Sequence, residues 1–303
     1  MPRCRLTTTA AAVAALLAIS SATLLAQAAQ RAMYVSVLNE AGAPVPGLGP
    51  SDFIVREDNV AREVLRVAPA VEAMQIAILV DNSVAARQYI TDIRNALREF
   101  VTTMTTASDT TGKNELAIIA LADRPTTLTD YTMSRAQLLK GVDRIFSVPQ
   151  SGTLLLEGLI DVAKGFKTKG AARPVIVAIT GEGPELSERY YDLVLEPLQS
   201  SGAAFHAIVV GSPSGGTSDA ERDRGMVLDR GTKETGGRRD NVLTSMSLTP
   251  KLKEVASELT HQYRVTYAHP QSLIPPERVT VAAARPGMTA RGTLVKEREA
   301  RKP

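Results

Sequence analysis

The middle of the chain alternates between short, continuously apolar runs and longer stretches in which apolar residues have helical spacing. Continuous apolar runs are typical of strands that are covered on both faces of a sheet. Apolar residues at three- and four-residue spacing indicate amphipathic helices between these strands. The pattern therefore predicts an α/β domain with a doubly wound, mostly parallel sheet. The predicted buried strands are 76–80, 116–121, 175–179 and 204–210.

Short alternating β segments separated by Gly/Pro-rich turns flank this region on both sides. The organisation predicted from these changes is an N-terminal β segment over 29–72, an α/β domain over 73–260 and a C-terminal β segment over 261–303. The simplest interpretation is that the two β segments form one small β module. Two unrelated β tails are the alternative.

Residues 1–28 have the pattern of a signal peptide. Arg3 and Arg5 precede an apolar stretch over 10–25, and Ala-Gln-Ala at 26–28 offers a small-x-small cleavage site. An uncleaved anchor is the alternative. No later stretch approaches the roughly 20 apolar residues of a spanning helix. We therefore expect an exported protein, periplasmic or extracellular, with no membrane span after signal cleavage.

Charge and cysteine content exclude some classes of function. Lys and Arg number 35 and Asp and Glu 32, so the net charge is +3, and removing 1–28 leaves 33 basic residues and a net charge of +1. No basic stripe is present, so we expect no nucleic acid partner. The single cysteine, Cys4, lies within the predicted signal peptide, so the mature chain would have no disulfide and no thiol nucleophile.

The first predicted buried strand runs directly into Asp-Asn-Ser-Val-Ala at 81–85. Here the sequence resembles the von Willebrand factor A (vWA) domain, whose Asp-x-Ser-x-Ser motif begins a metal-ion-dependent adhesion site. The Ser-Gly-Thr-Leu-Leu segment at 151–155 resembles the Gly-Thr-x-Leu segment of that family. Thr-Gly-Glu at 180–182 stands where the family usually has Thr-Asp-Gly. The resemblance spans roughly 73–260 and implies a vWA/Rossmann-like fold.

The flanking segments resemble a narrower group, the VWFA-related proteins of secreted bacterial type. Val-Pro-Gly-Leu at 45–48, with Asp52 and Phe53, is similar to their opening segment. Thr-Gly-Gly at 235–237 and Arg-Pro-Gly at 285–287 are similar to their closing segments. This resemblance implies a binding or adhesion protein rather than an enzyme.

The vWA resemblance also implies a site for Mg²⁺, which takes about six oxygen ligands in near-octahedral geometry. Asp81, Ser83 and Thr153 match positions of the family site, where Thr153 would contribute a metal-facing hydroxyl. These residues follow different predicted strands, and the carboxyl ends of parallel strands are where ligands of open α/β sheets bind.

Two positions depart from the family pattern. Ala85 replaces the second Ser, and Gly181 stands where the second acidic residue is expected. Glu182 is adjacent but one position out of register, which usually reverses the direction of a side chain. One interpretation is a weak Mg²⁺ site completed by Glu182, water and a carboxylate from a partner. The other is a vestigial site without metal, in which the same residues serve turn structure and helix capping.

These features predict an exported, non-enzymatic module that binds another protein through a degenerate adhesion site. A structural subunit of an envelope assembly is the main alternative. An exported hydrolase is a further one, but it would need a nucleophile paired with a base. The histidines do not favour it: His206 falls in a predicted buried strand, and His261 and His269 lack the spacing of a zinc site.

Overall fold

The computed structural model describes residues 29–106, 113–211, 218–270 and 274–296. The predicted signal peptide and the segment 212–217 lie outside the described residues. The strands are β1 Ala29–Asn39, β2 Phe53–Glu57, β3 Val60–Arg62, β4 Val64–Pro69, β5 Gln75–Val80, β6 Glu115–Ala120, β7 Thr126–Thr132, β8 Pro174–Gly181, β9 Ala204–Val210, β10 Arg239–Val242, β11 Tyr263–His269, β12 Val279–Ala283 and β13 Met288–Leu294. The α-helices of two turns or more are α1 Ile90–Thr106, α2 Arg135–Asp143, α3 Leu155–Lys169, α4 Tyr191–Ser201, α5 Asp219–Met226 and α6 Leu248–Thr260. No helix among the described residues is long and apolar enough to span a membrane.

The central sheet has the strand order β10-β9-β8-β5-β6-β7. All neighbouring strands pair in parallel except β7, which is antiparallel to β6. Strand β5 lies in the middle, where Ile78 pairs with Ile118 on one side and Val177 on the other. The predicted doubly wound, mostly parallel α/β sheet is therefore confirmed.

Helices cover both faces of this sheet because successive strand residues point to opposite faces. Ile76, Ile78 and Val80 join one core with helices α1, α2 and α6. Ala77 and Leu79 join the other core with helices α3 and α4. Both layers exclude water from β5, which explains why its sequence is apolar without alternation.

Several elements were not predicted from the sequence because they carry weak apolar patterns. Strand β7 is a threonine-rich edge strand with no buried residue, and α5 likewise buries no residue. Helix α5 is instead defined by its cap, since Ser218 and Glu221 form a reciprocal capping box. Helix α2 has a simpler cap, in which the Ser134 hydroxyl accepts from the Gln137 amide, and it buries Leu138 and Val142. Strand β7 and helix α5 depend on strand pairing and on capping rather than on an apolar stripe.

The terminal segments form one β module, as the fold-class prediction states. Strand β1 pairs with both β11 and β13, so that Val35 lies opposite Tyr263 and Gly292. In the second small sheet, β12 pairs with β2 and places Val281 opposite Val55. The two sheets share one apolar core. Strands from both ends of the chain therefore depend on each other for burial.

The β module contacts the central sheet at the amino ends of the strands of the central sheet. Arg173, immediately before β8, donates hydrogen bonds to the carbonyl oxygen of Leu259 and to Oε1 of Gln262, at 2.6 and 2.7 Å. Gln262 in turn donates to the Ser36 hydroxyl on β1 at 2.9 Å. The carboxyl ends of the strands thus lie at the edge of the sheet away from this junction.

One buried histidine gives the fold a pH dependence. His206 lies within β9, and neither of its ring nitrogens has a hydrogen-bond partner among the described residues. Burial lowers the pKa of His206 to about 4, opposed by the charges of Glu258 and Asp240 and assisted by those of Arg291 and Arg238. The folded protein therefore resists protonation at a pH where the unfolded chain accepts the proton.

We predict that His206 costs stability in acid. The pKa of the unfolded side chain is the ordinary histidine value of 6.5 and that of the folded one is about 4. The folded state therefore has its full stability above the first value and loses stability as the pH falls towards the second. This shift corresponds to about 3 kcal/mol of unfolding free energy. Urea unfolding above and below this range should show that His206→Met removes that part of the loss. The same substitution at the exposed His261 should leave the loss unchanged, and equal effects of both would contradict the prediction.

Candidate functional site

The carboxylate of Asp81 joins the carboxyl ends of β5 and β8. Asp81 is buried, and its backbone amide donates to the carbonyl oxygen of Ile179 at 2.8 Å. Its Oδ1 accepts from the Ser83 amide at 2.9 Å, and its Oδ2 accepts from the Gly181 amide at 3.2 Å. Its Oδ2 also accepts from the Thr180 hydroxyl at 3.4 Å. The carboxylate therefore organises the turn after β5, and Oδ1 keeps a lone pair to offer.

Asn82 fixes the neighbouring loops, whereas the sequence suggested that it caps the helix that follows, which begins without a side-chain cap. Its Oδ1 accepts from the amides of Leu121 and Ala122 at 3.1 and 2.9 Å, just after β6. Its Nδ2 donates to the carbonyl oxygen of Phe146 at 2.9 Å. A polar residue directly after Asp81 was the only sequence signal for this role. The hydrogen bonds of Asn82 therefore fix the turn after β5 to the segments that contain Leu121 and Phe146.

Ser83 and Thr153 each bury a hydroxyl that has no hydrogen-bond partner among the described residues. Thr153 is held by its backbone, since its amide donates to the Pro184 carbonyl and its carbonyl accepts from the Leu186 amide, both at 2.9 Å. A Cβ built on Gly183 would lie 3.4 Å from Ser83 Oγ. The loops that carry Asp81, Ser83 and Thr153 therefore converge, through the segment that follows β8.

That segment, 181–187, alternates between buried and exposed positions. The buried positions are Gly181, Gly183, Glu185 and Ser187, and the exposed ones are Glu182, Pro184 and Leu186. A Cβ built on Gly181 would lie 3.9 Å from Asp81 Oδ2. The odd-numbered positions therefore face the convergent loops.

Glu182 is directed elsewhere. A Cβ built on Gly211, just beyond β9, would lie 2.8 Å from the Glu182 side-chain carboxyl carbon. The Glu182 side chain therefore packs over Gly211 on the exposed side of the segment. Of the four candidates from the sequence, the structure brings Asp81, Ser83 and Thr153 together and does not bring Glu182 to them.

Glu185 is a second buried carboxyl group in this region, and sequence reasoning did not identify it. It is 4% exposed, and its Oε1 accepts from the Ser187 hydroxyl at 2.5 Å and from the Ser187 amide at 3.3 Å. Burial raises the pKa of Glu185 to about 7, although the Ser187 hydrogen bonds and the charge of Arg224 oppose the rise. The Arg224 guanidinium also donates to the Gly183 carbonyl oxygen at 2.7 Å.

The oxygens of Asp81, Ser83 and Thr153 are of the kind that a hard cation binds, but they are too few to complete its coordination. A carboxylate and two hydroxyls are the oxygen ligands that Mg²⁺ accepts. A buried hydroxyl without a partner costs about 1–3 kcal/mol, which coordination to a cation would offset. No cluster of three or more His, Cys, Asp or Glu among the described residues could hold a metal ion. Asp81, Ser83 and Thr153 would thus need water or further oxygens to complete a Mg²⁺ site.

Solved structures with a similar fold include vWA domains. The vWF domain of the type V pili tip protein Mfa5 from Porphyromonas gingivalis is 11% identical and covers 62% of this chain and 95% of that chain, with a TM-score of 0.48. The chain resembles vWA domains, as its sequence predicts. A von Willebrand factor type A protein from Catenulispora acidiphila is 14% identical over 89% of this chain and 73% of that one, with a TM-score of 0.46. The SpRpn10 VWA domain is 14% identical over 59% and 95%, with a TM-score of 0.43.

No family model and no curated protein matches the sequence. At these identities the solved structures describe the fold alone. Any assignment of function must therefore come from the residues of this chain.

We predict that Asn82→Ala lowers the unfolding free energy by about 2–4 kcal/mol, because it leaves the buried Ala122 amide and the Phe146 carbonyl without their side-chain partner. Chemical denaturation measures the loss. Asn95→Ala, the same change at an exposed position of α1, should stay within about 0.5 kcal/mol of the parent. If both variants lose the same stability, Asn82 does not fix the loops.

Proposed function

We propose that the protein is an exported, non-enzymatic module of vWA type that binds another protein through the carboxyl edge of its central sheet. The observation that carries this proposal is a set of exposed apolar side chains around the buried polar site. Val84, Phe146 and Leu186 are 43%, 62% and 53% exposed. Exposed apolar side chains grouped on one surface mark protein interaction sites.

These apolar side chains are held next to the site rather than on free loops. The Val84 amide donates to the Ser151 carbonyl oxygen at 3.4 Å, two residues from Thr153. A Cβ built on Gly152 would lie 2.5 Å from Leu186 Cγ, so Leu186 packs over that glycine. The Arg94 guanidinium lies 4.4 Å from the centre of the Phe146 ring. A pre-organised surface of this kind loses little conformational entropy on binding.

The polar centre is proposed as a degenerate adhesion site with weak affinity for Mg²⁺. Asp81, Ser83 and Thr153 would supply oxygens, and water with a carboxylate from the partner would supply the rest. Ala85 offers no hydroxyl and Gly181 no carboxylate. With one fixed carboxylate among these ligands, the affinity should be low, because charge count sets cation affinity.

The signal pattern at 1–28 supports export to the periplasm or the exterior, and a protein partner there fits the apolar surface. A structural subunit of an envelope assembly remains the second candidate, since exposed apolar side chains would also suit a permanent interface. A stable complex that persists in EDTA would favour that candidate. Turnover in a broad panel of hydrolase substrates would favour the exported hydrolase.

Affinity capture from native envelope extract tests the proposed surface. We expect specific partner proteins to be retained by the parent protein and lost with Phe146→Ser and with Leu186→Ser, because both changes remove apolar area at the carboxyl edge. Val71→Ser, at an exposed position before β5, is the matched control and should retain them. Capture that is indifferent to Phe146 and Leu186, or lost equally with Val71, would refute this surface.

A second prediction concerns the two departures from the vWA pattern. Ala85→Ser with Gly181→Asp should raise Mg²⁺ affinity by about tenfold or more, because it adds a hydroxyl and a carboxylate to the ligand set. The backbone at Gly181 has no positive φ, and a Cβ there meets no atom closer than 3.8 Å, so the backbone accepts a side chain at this position. Isothermal titration calorimetry measures the change. A folded double variant that binds no better than the parent would show that the positional match is wrong.

A further inference from the structure

We propose that Glu185, and not Glu182, supplies the second carboxylate of the cation site, together with Asp81 and the hydroxyls of Ser83 and Thr153. This inference rests on the proposed Mg²⁺ site and names its missing acidic ligand. It assigns a binding role to a residue that lies outside every motif recognised in the sequence.

The first argument is the direction of the side chains after β8. The inward positions run from Gly181 at Asp81, through Gly183 at Ser83, to Glu185. The first two have no side chain, so Glu185 is the first inward position of the segment that can offer an oxygen ligand. Glu182 lies on the other side of the same backbone.

The second argument is the pairing of Glu185 with Thr153. The two residues form a parallel β-bridge, in which the Thr153 amide and carbonyl bond to the residues on either side of Glu185. Residues paired in this way place their side chains on the same face of the ladder. The carboxyl group of Glu185 and the hydroxyl of Thr153 therefore start from neighbouring backbone positions and point to the same side.

The third argument is that three buried oxygens in this region have no hydrogen-bond partner among the described residues. They are Ser83 Oγ, Thr153 Oγ1 and Glu185 Oε2. Ser187 donates two hydrogen bonds to Oε1 of Glu185, and a smaller backbone interaction with Leu156 also favours the ionised carboxyl group, so the group is oriented from two sides. Unsatisfied buried oxygens are costly one by one, and their occurrence together is what a site for a hard divalent cation requires.

The charge of the region also fits. Asp81 and Glu185 would contribute two negative charges, and the Arg224 guanidinium, bound to the Gly183 carbonyl, lies close enough to interact with Glu185. A divalent cation would be held by two carboxylates and two hydroxyls, with water in the remaining positions. The nearby arginine repels the cation, which helps to keep the affinity low.

Titration calorimetry with MgCl₂ on the full mature chain tests the assignment. Glu185→Gln should weaken Mg²⁺ binding by about tenfold or more, because one charged ligand is lost. Glu182→Gln is the matched control, with the same substitution three residues away on the exposed side, and should bind as the parent does. The Mg²⁺-induced rise in Tm should change in parallel, which gives a second readout.

Thr153→Val keeps the assignment testable if Glu185→Gln fails to fold. Valine has the shape of threonine without its hydroxyl, and that hydroxyl has no hydrogen-bond partner among the described residues. The variant should therefore fold with unreduced Tm in EDTA and bind Mg²⁺ more weakly. If Thr153→Val binds Mg²⁺ as the parent does, the shared site of Thr153 and Glu185 is wrong.

The remaining outcomes separate this inference from the proposed function. Parent protein that binds Mg²⁺, with Glu185→Gln unchanged or Glu182→Gln weakened instead, overturns the assignment of Glu185 and leaves the cation site standing. Parent protein that shows no Mg²⁺ binding overturns both the cation site and its ligand. Loss of binding with Glu185→Gln alone supports the assignment.

Discussion

The structure depends on the burial of β5 between two layers of helices. Its side chains alternate between two apolar cores, and its backbone is satisfied by β6 and β8 on either side. Because β5 is shielded from water, polar residues follow it only where the chain leaves the sheet. Asp81, Asn82 and Ser83 stand at that point, and their hydrogen bonds tie the loops after β5, β6 and β8 into one surface.

The β module leaves this surface exposed because it is attached at the opposite edge. Arg173 makes buried hydrogen bonds to the chain on both sides of the junction, at the amino end of β8. The strands of the module come from both ends of the chain, so the α/β domain is inserted between them. This arrangement anchors the domain on one side and presents its loops on the other.

Some side chains of the polar centre use their hydrogen bonds to hold the fold, and others bury oxygens that have no partner among the described residues. Asp81 and Asn82 use their hydrogen bonds to hold backbone amides, so much of their bonding capacity serves the fold itself. Ser83 and Thr153, by contrast, bury hydroxyls that the described part of the chain does not satisfy. A rigid frame with unsatisfied oxygens is the arrangement expected where a ligand completes the bonding.

The sequence by itself determined the sheet, because an apolar run bounded by helical periodicity records burial on both faces. It also determined three residues of the candidate site, since each follows a strand or lies in a loop with a recognisable motif. The short edge elements β7 and α5 escaped detection because they bury no residue. The direction of the Glu182 and Glu185 side chains was decided only by tertiary structure. The path of the backbone after β8 is set by the pairing of Thr153 between Pro184 and Leu186, a contact between distant segments that no local pattern encodes.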